Sequence, residues 1–379
     1  MDPNESTELD DFDRVAATGE WWINPWWEHA EPNFLFPVPL EKVRHGAEVL
    51  REYFDAEWYK RLAAEPRKNL VFPYLCLERA SWALSFIATF GARLERLQNA
   101  EGLSRPLCGL RERDGKSAFL ELEVAEGFAE TGYHVSFPKE GGPKSFDVLA
   151  VKDELRIAVE CKRLMDEEWE SWEEELMREI GFTCPHQHDG RDISVDIALN
   201  PRLSQLRMGM EEYAPLNKAL SAGIKQAVLA ELEAALASFS PPHELFIPEV
   251  ARIGVDWKKS ESFGSVSGME RSAPATFRRI FQNALLPALK QLPRAQPGAV
   301  VIYSKYAPPA PFFRLLFDAA CKADGSDSFS DLVAVLICTL QTVFQSTPPT
   351  VFCNRFAAHS VAADAVKEVF SKTFRAVEG

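Results

Sequence analysis

The sequence predicts an α/β fold with a mixed central sheet flanked by helices. Residues 118–131 repeat their apolar side chains with the period of a helix. Three short apolar runs with the period of a strand follow it, at residues 133–137, 146–150 and 156–162. Further along, a helical segment, a Pro-Gly turn and a continuously apolar run at 299–303 supply another helix and another strand.

The first predicted helix separates an apolar arc from a charged side, and Gly132 directly after it is a typical helix stop. Glu123, Glu126 and Glu130 fall on the side predicted to face solvent. Glu121 falls inside the apolar arc. Because a buried carboxylate is costly unless it is paired or binds a cation, Glu121 is a candidate functional residue.

The runs at 146–150 and 156–162 are predicted to form an antiparallel hairpin, since only a short segment separates them. Alternate residues of a strand face opposite sides of a sheet, so Glu160 and Lys162 point the same way. The hairpin places Asp147 across from Glu160. Two carboxylates and a lysine at neighbouring strand ends can bind a divalent cation and activate a water, as metal-assisted phosphodiester hydrolysis requires.

The order helix, strand, hairpin, with the spacing D-x12-E-x-K from Asp147 to Lys162, resembles the PD-(D/E)XK nuclease superfamily in its restriction-endonuclease-like branch. The resemblance covers residues 117–163, a small part of the chain. Phe146 stands where the family name has proline, a position that varies widely in the superfamily. The alternative interpretation is a hairpin that carries only a surface salt bridge between Glu160 and Lys162.

The resemblance implies a role for each polar residue of this segment. Asp147 and Glu160 would hold Mg²⁺ or Mn²⁺, with the main-chain carbonyl of Cys161 as a further ligand. Lys162 would position or deprotonate the attacking water. Glu121 would be the helix carboxylate of the same catalytic site.

Two continuations of this core are compatible with the sequence. In the preferred one, a helix kinked at Pro287 leads into the strand at 299–303, whose continuous apolar run is typical of a central strand. Residues 166–272 are then an insertion. In the alternative, the helix lies at 166–181 and the strand at 193–199, and there is no insertion.

The predicted domain organisation follows from the preferred continuation. The helical N-terminal domain is expected to contain two long helices, at 40–64 and 73–98. The full set of segments is an acidic disordered tail (1–20), a helical N-terminal domain (21–115), a nuclease core (116–165 and 273–305), the insertion (166–272) and a C-terminal α/β extension (306–379).

The net charge of −14 argues against a protein that binds nucleic acid over its whole surface, because nonspecific affinity comes mainly from neutralised phosphates. Local basic patches are therefore the candidates for substrate binding. They are Arg163 after the third strand, and Arg278 with Arg279 on the later helix; Lys258 and Lys259 form a further pair. Each patch is equally well explained as a solubilising surface.

The predicted insertion carries two further features. Residues 166–175 contain seven acidic side chains in ten positions, which indicates a solvated helix or a segment that repels DNA from the adjacent site. Cys184, His186 and His188 have the side chains of zinc ligands, but their one-residue gaps do not match the usual finger spacings.

The composition limits the remaining possibilities. No apolar run reaches the roughly 20 residues that cross a bilayer, and scattered cysteines in apolar runs suit a reducing cytoplasm. The resemblance implies a magnesium-dependent endonuclease and favours DNA over RNA as its substrate. By analogy with the superfamily, the protein is expected to be a prokaryotic defence effector activated by a partner or by oligomerisation. The alternative is a non-catalytic interaction protein that keeps the fold as a scaffold.

Overall fold

In the computed structural model, the chain forms two units, and the residues of the second unit lie between the two sequence segments of the first. Met1–Leu164 and Phe277–Gly379 form the first unit, and Met165–Thr276 forms the second. The structure describes residues 18–23, 38–64, 69–77, 81–112, 115–138, 146–164, 187–188, 191–199, 226, 229–230, 237, 243–247, 251–257, 264–267, 273–304, 309–323, 329–338 and 349–378.

Helices cover both faces of the first unit's sheet. Those described are α1 (Leu40–Tyr53), α2 (Ala56–Leu62), α3 (Ser81–Leu97), α4 (Ser104–Glu112), α5 (Lys116–Glu130), α6 (Ala273–Ile280), α7 (Leu286–Gln291), α8 (Ala310–Ala323) and α9 (Ser360–Thr373). Helix α5 confirms the predicted helix, and Gly132 beyond its end has the positive φ of +84° that favours glycine.

Seven strands of the described residues form the sheet of the first unit. They are β1 (His134–Ser136), β2 (Val148–Lys152), β3 (Leu155–Arg163), β9 (Gly298–Tyr303), β10 (Leu332–Cys338), β11 (Thr350–Cys353) and β12 (Val377–Glu378), in this order across the sheet. The pairs β1–β2, β2–β3 and β10–β11 are antiparallel, whereas β3–β9, β9–β10 and β11–β12 are parallel. The predicted α/β class with a mixed sheet flanked by helices is confirmed.

The predicted hairpin is present with a tight turn. Val148 pairs with Val159, and Lys152 pairs with Leu155, so only two residues connect the strands. One of them, Asp153, adopts a positive φ of +54°, which aspartate tolerates better than most residues in such turns.

The helix and the strand of the preferred continuation are both present. Strand β9 lies parallel beside β3, with Glu160 opposite Val300. The helix before it is interrupted by a π-helical turn at Phe281–Leu285, and Pro287 lies in the first turn of the last segment, where its missing N–H costs little. The alternative strand at 193–199 is wrong as a neighbour of the hairpin, because that segment belongs to the sheet of the second unit.

The sheet of the first unit separates two apolar cores. One core includes Ile157, Val159 and Cys161 of β3 and receives side chains from α1, α3, α5 and α9. The other includes Ala158 of β3 and Ile302 of β9, and it receives side chains from α6, α7 and α8. This alternation along β3 is the two-residue period that the sequence predicts.

The N-terminal helices and the C-terminal strands share a core and a sheet with the hairpin, whereas the sequence predicts separate domains. The N-terminal helices share the first core with β2 and β3, and β10, β11 and β12 complete the same sheet as the hairpin. The regions 21–115 and 306–379 therefore belong to one unit with the predicted nuclease core. The predicted helix at 40–64 is divided at Asp55, whose side chain accepts a hydrogen bond from the amide of Trp58 and caps α2.

The second unit contains a sheet of its own. Its strands are β4 (Gln187–His188), β5 (Arg191–Leu199), β6 (His243–Ile247), β7 (Ala251–Trp257) and β8 (Gly264–Ser267). Their order is β4-β5-β7-β6, and β8 pairs with β5 in parallel. The bounds of this unit, Met165–Thr276, nearly coincide with the insertion predicted at 166–272.

Several predictions concern residues outside the described part of the chain. They are the acidic tail as far as residue 17, the segment at 166–175, the alternative helix at 166–181, the zinc candidates Cys184 and His186, and the pair Lys258 and Lys259. His188 lies in β4. Among the helices that are described, none is long and apolar enough to cross a membrane.

Candidate active site

Asp147 is fixed at the open end of the hairpin by the neighbouring strand. Its amide donates a hydrogen bond to the carbonyl of Val159 at 3.0 Å, continuing the ladder of β2 and β3. Its Oδ2 accepts a hydrogen bond from the amide of Cys161 at 2.8 Å. The carboxylate is therefore held beside the backbone of β3, at the level of Glu160.

Glu160 is a buried carboxylate with one oxygen paired and one unpaired. Its side chain is 1% exposed, and Lys162 Nζ donates to its Oε1 at 2.5 Å. Its Oε2 is buried and has no hydrogen-bond partner among the residues that the structure describes. A buried oxygen without a partner is costly, so this atom is a position at which a cation or a polar ligand would be favourable.

The two carboxylates hinder each other's ionisation. Burial and the charge of Asp147 together raise the pKa of Glu160 to about 8, although Lys162 and Arg105 oppose both effects. Burial also raises the pKa of Asp147, against the lowering effects of the Cys161 amide, Arg105 and Lys162. Nearby carboxylates that resist ionising together are frequent at functional sites, where a bound cation relieves their repulsion.

Arg105 links Glu121 on helix α5 to Asp147 on the hairpin. No sequence pattern identifies this arginine. Its Nη2 donates to Oε2 of Glu121 at 2.9 Å and to the carbonyl of Asp147 at 2.7 Å. Its Nη1 lies 3.5 Å from Oδ1 of Asp147. The two contacts span 16 and 42 residues of sequence, and no local pattern predicts them.

The start of helix α4, which carries Arg105, is attached to the end of β1. Phe137 donates its amide to the carbonyl of Glu101 at 2.7 Å, and Arg105 donates its amide to the carbonyl of Gly102 at 3.0 Å. Gly102 has φ +78°, and a Cβ there would lie 2.1 Å from the Phe137 carbonyl oxygen. Only glycine fits this approach, so Gly102 allows the start of α4 to lie against the end of β1.

The glutamates of α5 differ from the prediction in their exposure and in their ion pairs. Glu121 is half-buried and paired with Arg105, in agreement with its position inside the apolar arc. Glu126, predicted to face solvent, has a side chain only 14% exposed, and it is paired with Arg93 and Arg96 of α3.

The other two glutamates also meet these arginines, since Glu123 lies 3.4 Å from Arg93 and Glu130 lies 2.9 Å from Arg96. The prediction of plain surface charges is wrong for Glu123 and Glu126, because α3 packs along this side of the helix and supplies the counter-charges. Glu130 is exposed, as predicted. The helical period identifies a polar side, but it does not reveal a neighbouring helix.

The remaining predicted residues are placed without a demonstrated role. Arg163 is half-buried at the end of β3, Arg278 is exposed and Arg279 is half-buried on α6. The thiol of Cys161 lies in the first core, and burial raises its pKa well above the ordinary range. That thiol is therefore unsuited to metal binding, and only the main-chain carbonyl of Cys161 remains the predicted ligand.

The chemistry of the site suits a hard divalent cation. The donors are two carboxylates, and one oxygen of Glu160 is buried without a partner among the described residues. Oxygen donors are those that Mg²⁺ and Mn²⁺ prefer, and magnesium sites usually combine one or two carboxylates with waters. Within the described ranges, no group of three or more His, Cys, Asp and Glu side chains forms a metal cluster.

Comparisons of the chain with models of protein families, with curated proteins and with solved structures found no match.

Proposed function

We propose that the protein is a metal-dependent nuclease with a restriction-endonuclease-like core that hydrolyses phosphodiester bonds, with DNA as the favoured substrate. One observation carries the proposal: Glu160 is buried with an unpartnered oxygen, beside Asp147 and hydrogen-bonded to Lys162. A purely structural salt bridge would be expected to satisfy both oxygens or to lie at the surface. The site instead has the polar groups that phosphodiester hydrolysis requires.

Each residue has a role in this proposal. Asp147 and Glu160 would hold Mg²⁺ or Mn²⁺, with the Cys161 carbonyl as a further ligand. The metal would supply positive charge that offsets the phosphate and lowers the pKa of a bound water. Lys162, held by Glu160, would orient the attacking water and donate a hydrogen bond to the scissile phosphate. Glu121 would complete the site from the helix.

The net charge of the protein bears on how it would bind its substrate and become active. At a net charge of −14 the chain repels nucleic acid at long range, so substrate contact needs a local basic surface or a partner. Arg163, Arg278 and Arg279 are the proposed substrate contacts. Activation by a partner or by oligomerisation, in a prokaryotic defence system, is the proposed biological setting.

A second candidate function is a non-catalytic scaffold. It is favoured by the internal pairing of the charges, because Arg105 contacts both Glu121 and Asp147 while Lys162 contacts Glu160. Such a network would also hold a helix and a hairpin together without any reaction. The scaffold makes a different experimental prediction, since it binds no divalent cation and cleaves nothing.

The decisive experiment incubates the purified protein with plasmid, single-stranded DNA and RNA, in the presence of Mg²⁺, Mn²⁺ or EDTA. Cleavage that needs the metal supports the proposal. Asp147→Ala and Lys162→Ala are each expected to lower the cleavage rate at least ~100-fold. Circular dichroism checks that each variant is folded, because Lys162→Ala removes the hydrogen-bond partner of the buried Glu160 carboxylate.

Lys152→Ala is the matched control for these variants. Lys152 lies on the same hairpin but at its closed end, where Nζ donates to the carbonyl of Thr131 at 2.9 Å. Its replacement is expected to leave the cleavage rate within about two-fold of wild type, since the residue does not contact the site. If purified Lys162→Ala cuts as fast as wild type, the active site is elsewhere or the activity belongs to a contaminant.

A further inference from the structure

Arg105 provides a second positive charge inside the candidate metal site. Its guanidinium contacts Glu121 and Asp147, while Lys162 contacts Glu160. The Arg105 side chain is 20% exposed, so solvent screens these contacts only in part. With every group ionised, three carboxylates face two cations that belong to the protein itself.

Arg105 is not required to hold Asp147 in place. The Asp147 amide is bonded to Val159, and its Oδ2 accepts the Cys161 amide. These contacts lie within the hairpin and do not depend on α4. The guanidinium therefore contributes charge to a carboxylate that the backbone already positions.

We propose that Arg105 is an internal counter-cation that competes with the divalent metal for the carboxylates of Asp147 and Glu121. This inference rests on the proposed function. By keeping the acidic groups paired, Arg105 weakens metal binding and sets the divalent concentration at which the site fills. Arg105 acts through its charge on Asp147 and Glu121, and it is not itself a catalytic group.

The proposal predicts that removing the charge of Arg105 raises the affinity for the metal. A residue that only supported the structure would, when removed, weaken metal binding together with the fold. Removal of a competing charge a few ångströms from the metal instead strengthens binding. Even with screening as complete as that of bulk water, the electrostatic effect corresponds to roughly ten-fold in affinity.

The test is calorimetric titration of Mg²⁺ and Ca²⁺ into the full chain without nucleic acid, for wild type, Arg105→Gln and Arg105→Lys. Arg105→Gln is expected to bind about ten-fold tighter than wild type. Arg105→Lys, which keeps the charge but loses the forked geometry, is expected to remain within about three-fold. Glu160→Gln, introduced into wild type and into each Arg105 variant, identifies the heat that comes from this site, because it should remove metal binding there.

Arg111→Gln is the matched control. Arg111 lies on the same helix and pairs with Asp55, so its replacement changes the net charge equally without contacting the carboxylates of the site. Its metal affinity should equal that of wild type. If Arg105→Gln does not fold, Arg105→Met, which keeps the packing of the aliphatic stem, is judged by the same ten-fold criterion.

The outcomes separate this inference from the function on which it rests. Tighter binding by the neutral variant, with Arg105→Lys close to wild type, supports the inference. Glu160-dependent binding that is equal or weaker in the neutral variant overturns the inference and leaves the proposed function in place. Absence of Glu160-dependent binding in every variant overturns both.

Discussion

Glu160 shows at the scale of a single residue how the candidate site conflicts with stability. Its side chain is 1% exposed, and burial and the charge of Asp147 together raise its pKa to about 8. Lys162 stabilises the ionised form, but one oxygen is left without a partner among the described residues. A buried carboxylate with an unpaired oxygen is unfavourable for stability, and such groups are expected where a binding site is organised in advance of its ligand.

Glu160 therefore makes the stability of the metal-free protein depend on pH. Its pKa in the folded state, about 8, lies above its ordinary value of 4.5. Between these values the folded chain holds a proton that the unfolded chain releases, so this group's contribution to stability falls as pH rises through the window. Below pH 4.5 the contribution is fully present, and above pH 8 it changes no further.

We expect Glu160→Gln to gain stability relative to wild type as pH rises, because glutamine cannot ionise and its carbonyl still accepts a bond from Lys162. The difference in unfolding free energy between the two proteins should grow by about 1–2 kcal/mol from pH 5.5 to pH 8. Urea unfolding with EDTA at both pH values measures it. Parallel stability curves for the two proteins would contradict the raised pKa.

The packing of α1 against α3 shows at the scale of elements what the helical period leaves open. A Cβ on Gly91 of α3 would lie 2.3 Å from the Cα of Gly46 on α1, and a Cβ on Gly46 would lie 2.4 Å from the Ile87 carbonyl oxygen. Two glycines thus allow the backbones to touch. The resulting helix pair lines the core beneath the hairpin, on the side from which α5 presents Glu121.

Gly91→Ala is expected to destabilise the protein even though alanine favours helices by up to ~1 kcal/mol. The new methyl group would meet backbone atoms of Gly46, which cannot move aside as a flexible side chain can. We expect a net loss of about 2–3 kcal/mol, or roughly 5 °C in the midpoint of thermal unfolding.

Thr89→Ala is the control on the same helix. Its exposed hydroxyl bonds only to carbonyls of the preceding turn, and its loss should change stability by less than ~0.5 kcal/mol. An unchanged midpoint for Gly91→Ala would show that the two helices can separate without cost.

At the scale of the whole molecule, net charge bears on the proposed action on nucleic acid. The chain has 56 acidic against 42 basic side chains, and part of this excess lies in residues 166–175, which follow the candidate site in sequence. Long-range repulsion slows the encounter of an acidic protein with DNA, most strongly at low salt. Activation by a basic partner or by assembly would overcome this repulsion.

Neutralising the acidic segment is therefore expected to raise basal cleavage. The variant carries Glu→Gln at positions 167, 168, 170, 173, 174 and 175, which removes six negative charges. The rate should rise several-fold at ~10 mM salt and little at ~500 mM, because the screening length falls from about 30 Å to a few ångströms. Initial rates of plasmid cleavage at both salt concentrations measure the effect.

The control for this prediction removes the same number of charges elsewhere. Six exposed glutamates suit it: Glu41, Glu48, Glu52, Glu57, Glu112 and Glu154. An equal gain in both variants would assign the effect to net charge alone. No gain in the first variant would mean that the segment is an ordinary solvated surface, and full activity of the wild-type monomer would remove the need for a partner.

The hairpin was predictable because its signals are local. The two-residue period places Glu160 and Lys162 on one face, and a connection too short for anything but a tight turn brings Asp147 to β3. The continuous apolar run at β9 likewise predicted a central strand, and β9 pairs with β3. Period, turn length and hydrophobicity are properties of neighbouring residues, so the sequence by itself determined these elements.

Only the tertiary structure decided how distant segments complete the site. Arg105 reaches Asp147 across 42 residues, and the arginines of α3 pair with α5 glutamates about 30 residues away. The place of β10, β11 and β12 in the hairpin's own sheet is decided in the same way. Such contacts depend on which surfaces meet after the chain has folded, and because many pairings are compatible with one pattern of charges and apolar residues, the pattern alone does not select among them.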